Sequence, residues 1–561
     1  MGASNYWERV TRERVGRRRL IQGGAALSIG AGALALIGCS DNSGSSDGDS
    51  ASSDGAPTGG KPVKGGKLTL SNVGAGADSS LNVITMNRAG HILAAEHVYD
   101  HLISTRVGNG APYILEAASS AETPDDLTVV FKLKPNMKYQ NIAPVSGRAV
   151  KASDIKAVHE YVKATAVANR SFQTTSMQSV EAPDDNTVVF KLQKPNAYLF
   201  TGTQLGEEAN GSIIPVELID KLDTAKSIGS GPYEEVSNDL GVKSEYRRYE
   251  GFREAAKTYI DTRTTVLFGD AVAEESAFRS GQSDVLLPPA GSPQVDDLLK
   301  EMGDKVYRQA YPTLAPFTIN IGGSLEFNPI KKDIRGREAF YRAMNRQQYI
   351  DLVFNGKGTV PTGLLVDGLA DYKMAGKDTE AFFKRDLQAA RQLFSAANLL
   401  DKEYDIMYFA PADLNAQSCQ ILQRQLSEVG LKTTIRGVPS AEGFDRTTKG
   451  EWYFFSGGHP AYASPQIIMR QQHTNSGSRF GFTGLGDPEI DALIEKSEAA
   501  TDYEENVKLV KEVQMVSLKK YTGYVLLTSR TQEQLLYKKV RDWENDPSET
   551  WMPRYTAWIQ Q

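Results

Sequence analysis

The chain has 561 residues, with 63 Lys and Arg against 69 Asp and Glu, a formal net charge of −6 and only two cysteines. An acidic chain is a poor partner for nucleic acid or for an anionic membrane surface. The chain is also too long for one hydrophobic core, so we expect two or three lobes.

Residues 1–38 are predicted to be an export signal rather than part of the fold. Residues 17–20 read Arg-Arg-Arg-Leu, and the uncharged stretch that follows ends in Leu-Ile-Gly-Cys at Cys39. A basic segment before a short apolar one is typical of a signal peptide, and the paired arginines resemble a Tat signal. The final four residues match a bacterial lipobox, which predicts cleavage before Cys39 and lipidation of its thiol. A transmembrane anchor is the alternative, but 18 uncharged residues rich in Gly and Ala are marginal for a span.

Residues 39–60 are predicted to be the lipidated cysteine and a disordered linker, because residues 40–60 contain only Ser, Asp, Asn, Gly, Ala, Pro and Thr. The signal carries six Arg and two Glu, so its removal changes the net charge from −6 to −10. With Cys39 lipidated, Cys419 stands alone and no intramolecular disulfide is possible. Cys419 lies in a helical pattern and is predicted to be a small buried hydrophobe.

The folded body is predicted to begin with a strand over residues 65–73 and a helix over about 91–104. A second helix is expected over about 151–168, with Ser153 as its N-cap. The hexapeptide Thr-Val-Val-Phe-Lys-Leu occurs twice, at residues 128–133 and 187–192, each time after an Asp-rich turn and before a proline. Its β-branched content predicts two strands.

The second half alternates helical and strand patterns, which favours α/β lobes with mainly parallel sheets. Gly/Pro-rich segments that predict loops or lobe boundaries stand at 229–233, 288–289 and 311–312. Helices are predicted over 334–354, 384–397, 415–429, 488–500 and 503–520, and strands over 404–408, 431–436 and 522–527.

Seven segments, in order along residues 64–561, resemble the extracellular solute-binding proteins of family 5, the peptide and nickel binding class that serves ABC importers. No single segment is specific, and the ordered set carries the resemblance. The segments are Tyr99–Ile103, Ala117–Leu133, Val150–Ile155, Gly229–Tyr233, Phe278–Val285, Ile334–Ile350 and Asp487–Leu493.

This resemblance implies an α/β fold of the periplasmic-binding-protein type, a three-lobed Venus flytrap that closes on a solute between lobes I and III. Lobe I is expected to comprise residues 61–95, 185–312 and 525–561, lobe II residues 96–184, and lobe III residues 313–524. The resemblance implies an exported, monomeric lipoprotein at the cell surface or in the periplasm. Its expected partners are a peptide or small-molecule ligand, an ABC permease and ATPase complex, and the membrane through Cys39.

The loop over residues 455–465 resembles the cleft loop of oligopeptide binders, where an Asp pairs with the α-ammonium of a bound peptide. This chain has Ala461 at that position and Gly458 where the family has Trp, and it has no Asp or Glu between Phe454 and Met469. We therefore expect no capture of a free peptide N-terminus in the usual way. His459 and Tyr462 either face the ligand or pack within the loop, and Phe455 and Gly457 complete the predicted set.

Five further positions are candidates for ligand contact. Arg88 and His91 fall where lobe I of the family lines the cleft, although a solvated surface position is the common alternative for an arginine. Tyr311, Phe317 and Asn320 stand at the entry to lobe III, where the two aromatic rings either contact ligand or pack the hinge. We expect no cofactor.

A metal site and an enzyme are the alternatives. His97 and His101 have the i, i+4 spacing that places two imidazoles on one helix face, but no third ligand is close in sequence, so no metal is expected. The one Gly-x-Ser-x-Gly match, at residues 44–48, lies in the predicted linker and lacks the strand–helix context of a hydrolase. A sensory or adhesive role on the same fold also remains open. The sequence does not identify the ligand, which could be a peptide, a sugar or another organic solute.

Overall fold

The computed structural model describes residues 52–54, 57, 60–73, 82–84, 97–104, 114–165, 172–200, 205, 211–222, 226–239, 241–288, 291–292, 294–410, 412–458, 464–473, 483–543 and 556–561. None of the helices within these ranges combines the length and the hydropathy that a bilayer crossing requires.

The strands are short in the N-terminal half, and one long strand, β19, comes near the C-terminus. Their bounds are β1 Ser52–Asp54, β2 Lys67–Val73, β3 Ile103–Ser104, β4 Ile114–Leu115, β5 Ala118–Asp125, β6 Thr128–Leu133, β7 Met177–Asp184, β8 Thr187–Leu192, β9 Tyr233–Asp239, β10 Lys243–Arg248, β11 Thr262–Phe268, β12 Val285–Leu286, β13 Val306–Pro312, β14 Phe317–Ile321, β15 Gly358–Thr359, β16 Glu403–Phe409, β17 Lys432–Val438, β18 Phe454–Gly458, β19 Tyr524–Tyr537, β20 Val540–Arg541 and β21 Trp558–Ile559.

Most helices of the described chain lie in its second half. The α-helices span Ala152–Thr165, Ala271–Arg279, Gln294–Met302, Pro329–Lys332, Ile334–Ala343, Gln347–Val353, Gly376–Phe383, Leu387–Ala396, Asp413–Glu428, Ser440–Lys449, Pro465–His473, Pro488–Ala499 and Tyr503–Lys519. Several begin with the aspartate caps that the sequence provides. Asp487, for example, accepts hydrogen bonds from the backbone N–H of Glu489 and Ile490 and precedes a proline at the first helical position.

Thirteen of the described strands form one sheet with the order β17-β16-β18-β14-β19-β12-β2-β11-β10-β9, to which β1, β13 and β15 add at the side. Parallel pairing joins β16 to β17 and β18, and β2 to β11 and β12. The remaining pairs of this sheet are antiparallel, so the expectation of mainly parallel sheets is wrong. The reason is that β19 returns from the C-terminal helices and runs antiparallel to β12, β13, β14 and β15.

The two copies of Thr-Val-Val-Phe-Lys-Leu are β6 and β8, and they pair with each other in a separate four-stranded sheet with the order β5-β6-β8-β7. Both were correctly predicted as strands. Strand β8 begins at Thr187, beyond the end predicted for lobe II at residue 184, and it hydrogen-bonds to both β6 and β7. This sheet therefore extends to residue 192.

Two large cores organise the described chain. The first contains buried side chains between Val83 and Phe252, including those of the four-stranded sheet. The second contains buried side chains between Leu314 and Leu527, including those of β14, β16 and β18. Smaller clusters around β2, β12, β13 and the distal half of β19 lie between them in the strand order. We call the parts of the chain around the two large cores the first body and the second body.

Three predicted helices differ from the structure. Within the described residues, the helix expected over 91–104 is helical only at His97 and Val98, and it gives way to strand β3. The helix expected over 334–354 is two helices, which separate after Ala343. Ser153 is not the N-cap, because the helix has already begun at Ala152; Asp154 accepts a hydrogen bond from the Lys151 N–H instead.

The predicted disordered linker is wrong at Ser52–Asp54, which form strand β1 antiparallel to β13. The backbone of these three residues pairs with an edge of β13 that would otherwise be open. Residues 524–528 of β19 pair with β14, across the boundary predicted between lobes III and I at 524/525.

Candidate functional site

Five of the residues predicted to line the cleft meet on two adjacent strands. In the antiparallel register of β14 and β18, Phe317 lies opposite Gly458 and Asn320 lies opposite Phe455. Gly457 is the neighbour of Thr318 in the same ladder. The sequence forms this pair because both strands begin with large apolar residues, and those residues are buried on both faces of the sheet.

Strand alternation sends these residues to different faces. Phe317 packs into the second core, where its ring meets that of Phe354 edge-to-face at 5.0 Å. Asn320 and Phe455 share the opposite face. On that face the Asn320 amide donates to Thr318 Oγ1 at 3.0 Å, and Thr318 Oγ1 donates to the Gly457 carbonyl at 3.1 Å. Thr318 was missed from sequence, because an isolated threonine in a strand gives no signal of its partner.

Aromatic rings gather on the Phe455 side of this sheet. Phe455 lies 4.9 Å from the ring of Phe409, which in turn meets Phe444 at 4.8 Å, both edge-to-face. Trp452 completes the group at 6.2 Å from Phe455. Phe409 is the last residue of β16 and lies at the carboxyl edge of the parallel strands, where ligands bind in open α/β sheets, whereas Phe455 lies near the start of β18. These rings form an apolar wall near the start of the predicted cleft loop.

Gly457 has to be a glycine for the wall to pack as it does. A Cβ at this position would lie 2.8 Å from Cε1 of Phe455, closer than carbon atoms approach without displacement. A side chain at residue 457 would therefore push the Phe455 ring away from Phe409.

The chain crosses between the second body and the distal strands at two neighbouring places. Residues 313–316 connect β13 to β14, and β19 pairs with β13 through residues 531–537 and with β14 through residues 524–528. The crossings are tied together, since the Thr313 N–H donates to the Arg530 carbonyl at 3.1 Å and Arg530 Nη2 donates to Ala315 O at 3.1 Å. Tyr311 lies beside them, opposite Gln532 and 5% exposed.

A charged network spans the same crossings. Lys357 Nζ lies 2.7 Å from Glu533 and 3.0 Å from Asp296, and Arg308 Nη1 lies 3.2 Å and 3.1 Å from the same two carboxylates. Lys357 belongs to the second body, whereas Asp296 and Glu533 lie on the helix Gln294–Met302 and on β19. The network therefore joins the elements on the two sides of the crossing.

The two histidines of the metal alternative do not share a helix face, because the helix ends after Val98. His97 is buried between Tyr246 at 4.3 Å and Tyr233 at 5.7 Å, and burial together with the Arg263 charge lowers its pKa well below the usual range. His101 instead approaches Glu116 at 3.4 Å. Within the described ranges, no group of three His, Cys, Asp or Glu side chains is arranged to hold a metal ion.

Cys419 is a free, fully buried thiol in the helix Asp413–Glu428, as predicted. Burial raises the pKa of this thiol to about 12, and a hydrogen bond with Ser456 acts in the opposite direction. The remaining predicted positions, Cys39, Arg88, His91, His459, Ala461 and Tyr462, lie outside the described residues.

The chain is similar to known binding proteins both in sequence and in fold. The family model of bacterial extracellular solute-binding proteins, family 5 middle, matches residues 113–479. A Brucella ovis protein named for peptide binding in an ABC transporter is 27% identical over 357 residues. That match covers 61% of this chain and 62% of the relative's own length.

Solved structures of low sequence identity share the fold. The oligopeptide-binding protein AppA of Bacillus subtilis, in complex with a nonapeptide, has a TM-score of 0.74 at 17% identity and covers 89% of this chain and 100% of its own. NikA of Brucella suis, in complex with Fe(III)-EDTA, also has a TM-score of 0.74, at 20% identity, and covers 88% and 100%. These matches confirm the predicted fold of the periplasmic-binding-protein type. With more than half of its length matched by the family model, the chain belongs to the bacterial extracellular solute-binding proteins of family 5.

Proposed function

We propose that the protein is the substrate-binding lipoprotein of an ABC importer, which captures a solute outside the cytoplasm and delivers it to a permease without changing it chemically. The observation that carries this proposal is the pair of chain crossings at residues 313–316 and 528–531. Two adjacent strand connections between α/β bodies form a hinge, and hinge closure around a ligand is the mechanism typical of this fold. The family match and the Brucella relative support the same function.

The ligand proposed is oligopeptide-like and bound between lobes I and III. The apolar wall of Phe409, Phe444, Phe455 and Trp452 suits side chains or backbone of a peptide, because ligand sites are mainly apolar with a few placed polar groups. His459, Ala461 and Tyr462 would continue this site in the loop after β18, and Arg88 and His91 would face it from lobe I.

The loop also defines which peptides we expect. Residues 455–468 contain no Asp or Glu, so the loop cannot supply the carboxylate that would pair with a free α-ammonium. We therefore propose that N-acetylated and unblocked peptides bind with similar affinity. Calorimetric titration of matched peptide pairs tests this, and a large loss of affinity on acetylation would contradict it.

Another organic solute or a metal chelate is the second candidate. It is favoured by the absence of a loop carboxylate and by the Fe(III)-EDTA complex of NikA. A thermal-shift screen with peptide, sugar and nickel panels separates the candidates. A true ligand at a hundred times its dissociation constant should stabilise the protein by about 2.7 kcal/mol. Conversion of any hit into product would instead indicate an enzyme.

Export and anchoring complete the proposal. Residues 1–38 would be removed as a Tat-type signal, and Cys39 would carry the lipid that holds the protein at the membrane. Metabolic labelling with a radioactive fatty acid, compared between the wild-type chain and the Cys39→Ser variant, tests the anchor. Equal labelling of the two chains would refute it.

A further inference from the structure

The first and second bodies are also in contact outside the hinge crossings. The contact joins the segment after β8, together with the β5–β6 turn, to the C-terminal end of the helix Pro488–Ala499 and the residues that follow it. Leu192, Leu199 and Phe200, close in sequence to one side of the contact, belong to the first core, whereas Met469 and Ile494, close in sequence to the other side, belong to the second. Two separately packed bodies thus meet at a small polar surface.

Glu498 is the centre of this surface and is 2% exposed. Its backbone carbonyl accepts a hydrogen bond of 2.7 Å from the N–H of Ala197 in the first body. Arg470 of the second body binds both oxygens of its carboxylate, with Nη2 at 2.5 Å from Oε2. Lys194 Nζ reaches the same carboxylate from the first body at 4.0 Å. A buried carboxylate needs such partners, and here one cation comes from each body.

Two further contacts extend the surface. Thr501 Oγ1 donates to Asp126 Oδ1 at 3.1 Å, across 375 positions in the sequence. Tyr503 packs against the first core although its helix, Tyr503–Lys519, belongs to the second. Burial and the negative charge of Glu498 both raise the pKa of Tyr198, which shows that the tyrosine shares this environment.

The chain passes from the first body to the second through β11, β12 and β13, so rotation about the hinge crossings must change this contact. In this arrangement the two bodies are in contact, and the predicted cleft residues Tyr311, Asn320 and Phe455 are 5%, 1% and 3% exposed. We propose that Glu498, Arg470, Lys194, Ala197, Thr501 and Asp126 form an interbody latch, which holds the two bodies closed in the absence of solute and weakens before the cleft opens. This inference rests on the proposed function, because it assumes that the hinge moves.

A latch of this kind would set the resting balance between open and closed protein. Solute binding shifts a two-state equilibrium only by its differential affinity for the two states. A contact that favours the closed state without solute therefore lowers the differential affinity that the solute must supply to close the protein. It changes the apparent affinity for the solute without having to touch the solute.

Distance measurement between two spin labels tests the latch without any ligand. The labels are placed at Glu160→Cys in the first body and Lys449→Cys in the second, both exposed, in a Cys39→Ser chain whose Cys419 is buried. The weakened protein carries Lys194→Met and Thr501→Val. Arg436→Met is the matched control, since its exposed ion pair with Glu442 lies wholly within the second body.

We expect the weakened protein to show a distance distribution displaced to longer values, and the control to match the parent. A second variant, Asp126→Cys with Thr501→Cys, should form a disulfide under mild oxidation and remain as compact as the parent. This variant is measured without spin labels, because the label would also modify its two new cysteines. Its oxidation and its compactness, the latter by small-angle scattering, check the same contact. Superimposable distributions for the parent and the weakened protein, with both folded by circular dichroism, would overturn the latch.

The experiments distinguish failure of the latch from failure of the proposed function. If a peptide or another solute stabilises the protein in the thermal-shift screen and the distributions superimpose, the latch is wrong and the binding function stands. If the weakened protein opens but no solute in the panels binds, the latch stands and the proposed function fails.

Discussion

Val130 and Val189 lie directly opposite each other where β6 and β8 pair, and they are equivalent residues of the two Thr-Val-Val-Phe-Lys-Leu copies. The pairing around them is symmetric. Lys132 Nζ donates to Thr187 Oγ1 at 2.6 Å, and Lys191 Nζ donates to Thr128 Oγ1 at 2.9 Å. The register shifts of β5 and β7 also occur at corresponding positions. The four-stranded sheet is therefore two copies of one hairpin related by a local twofold axis.

The symmetry predicts that equivalent core substitutions in the two hairpins lower the free energy of unfolding by similar amounts, with one difference. Phe131 and Phe190 are both fully buried, so replacement of either by Ala should destabilise the protein by about 3–5 kcal/mol. Phe190 should cost more, because its ring meets His159, Phe172 and Phe131, whereas the ring of Phe131 meets only Phe190 and Phe200 among the contacts of the described aromatic residues. Urea unfolding of both variants measures the difference.

The control for this pair is Val242→Ala, at a side chain that is 53% exposed. Its effect should stay within about 0.5 kcal/mol. A Phe131 variant that is clearly less stable than the Phe190 variant would contradict the ring-contact argument.

The hexapeptide repeat was visible in the sequence, but the pairing of its two copies was not. Periodicity and β-branched residues predict that a strand forms, whereas the neighbour of a strand is chosen by long-range packing. The same limit explains the cleft. Phe317, Asn320, Phe455 and Gly457 were predicted as ligand contacts, but no strand was predicted over β14 or β18, and the partner of Asn320 is Thr318, a residue with no distinguishing local signal. Sequence patterns also give no sign that a single strand, β19, pairs with both sides of the hinge.

Glu274 should make stability depend on pH. Burial raises the pKa of its carboxyl to about 7, above the ordinary value of 4.5. The folded state holds this proton more tightly than the unfolded state. The contribution of the protonated carboxyl to the free energy of unfolding is therefore full below pH 4.5 and is lost as pH rises through 7. Glu274→Gln should remove this loss, which we place at about 2–3 kcal/mol between pH 5 and 8.

Free energies of unfolding from urea titrations at pH 5, 6, 7 and 8 measure the effect. Comparison of the variant with its parent is needed because burial lowers the pKa of His159 to about 3, and that shift gives stability an opposite slope below pH 6.5. Asp297→Asn, at an exposed position of the helix Gln294–Met302, is the control and should leave the profile unchanged. Parallel profiles for Glu274→Gln and its parent would exclude Glu274 as the source.

Cys419 should be inert in the native protein, because only the thiolate reacts with disulfide reagents and burial raises the pKa of this thiol to about 12. In a Cys39→Ser chain at pH 8, an aromatic disulfide reagent should release chromophore only after denaturant is added. A thiol that reacts within the mixing time in native buffer would show that the helix Asp413–Glu428 opens readily.

Gly229 should tolerate no side chain, because a Cβ there would lie 2.2 Å from the carbonyl oxygen of Val98. The approach arises from the loop Gly229–Tyr233, which packs on this backbone and hydrogen-bonds to it through the Gly231 N–H at 2.8 Å. Gly229→Ala should therefore destabilise the protein by about 2 kcal/mol or more, since the Val98 carbonyl belongs to well-packed backbone that cannot simply move aside. Gly269→Ala is the matched control: no atom lies within 4 Å of its Cβ position, and restriction of the unfolded chain should give a change between zero and about 1 kcal/mol of stabilisation. In thermal unfolding, Gly229→Ala should lower the midpoint temperature, whereas Gly269→Ala should raise it or leave it unchanged. Equal losses at both glycines would mean that the Val98 contact does not govern the loop.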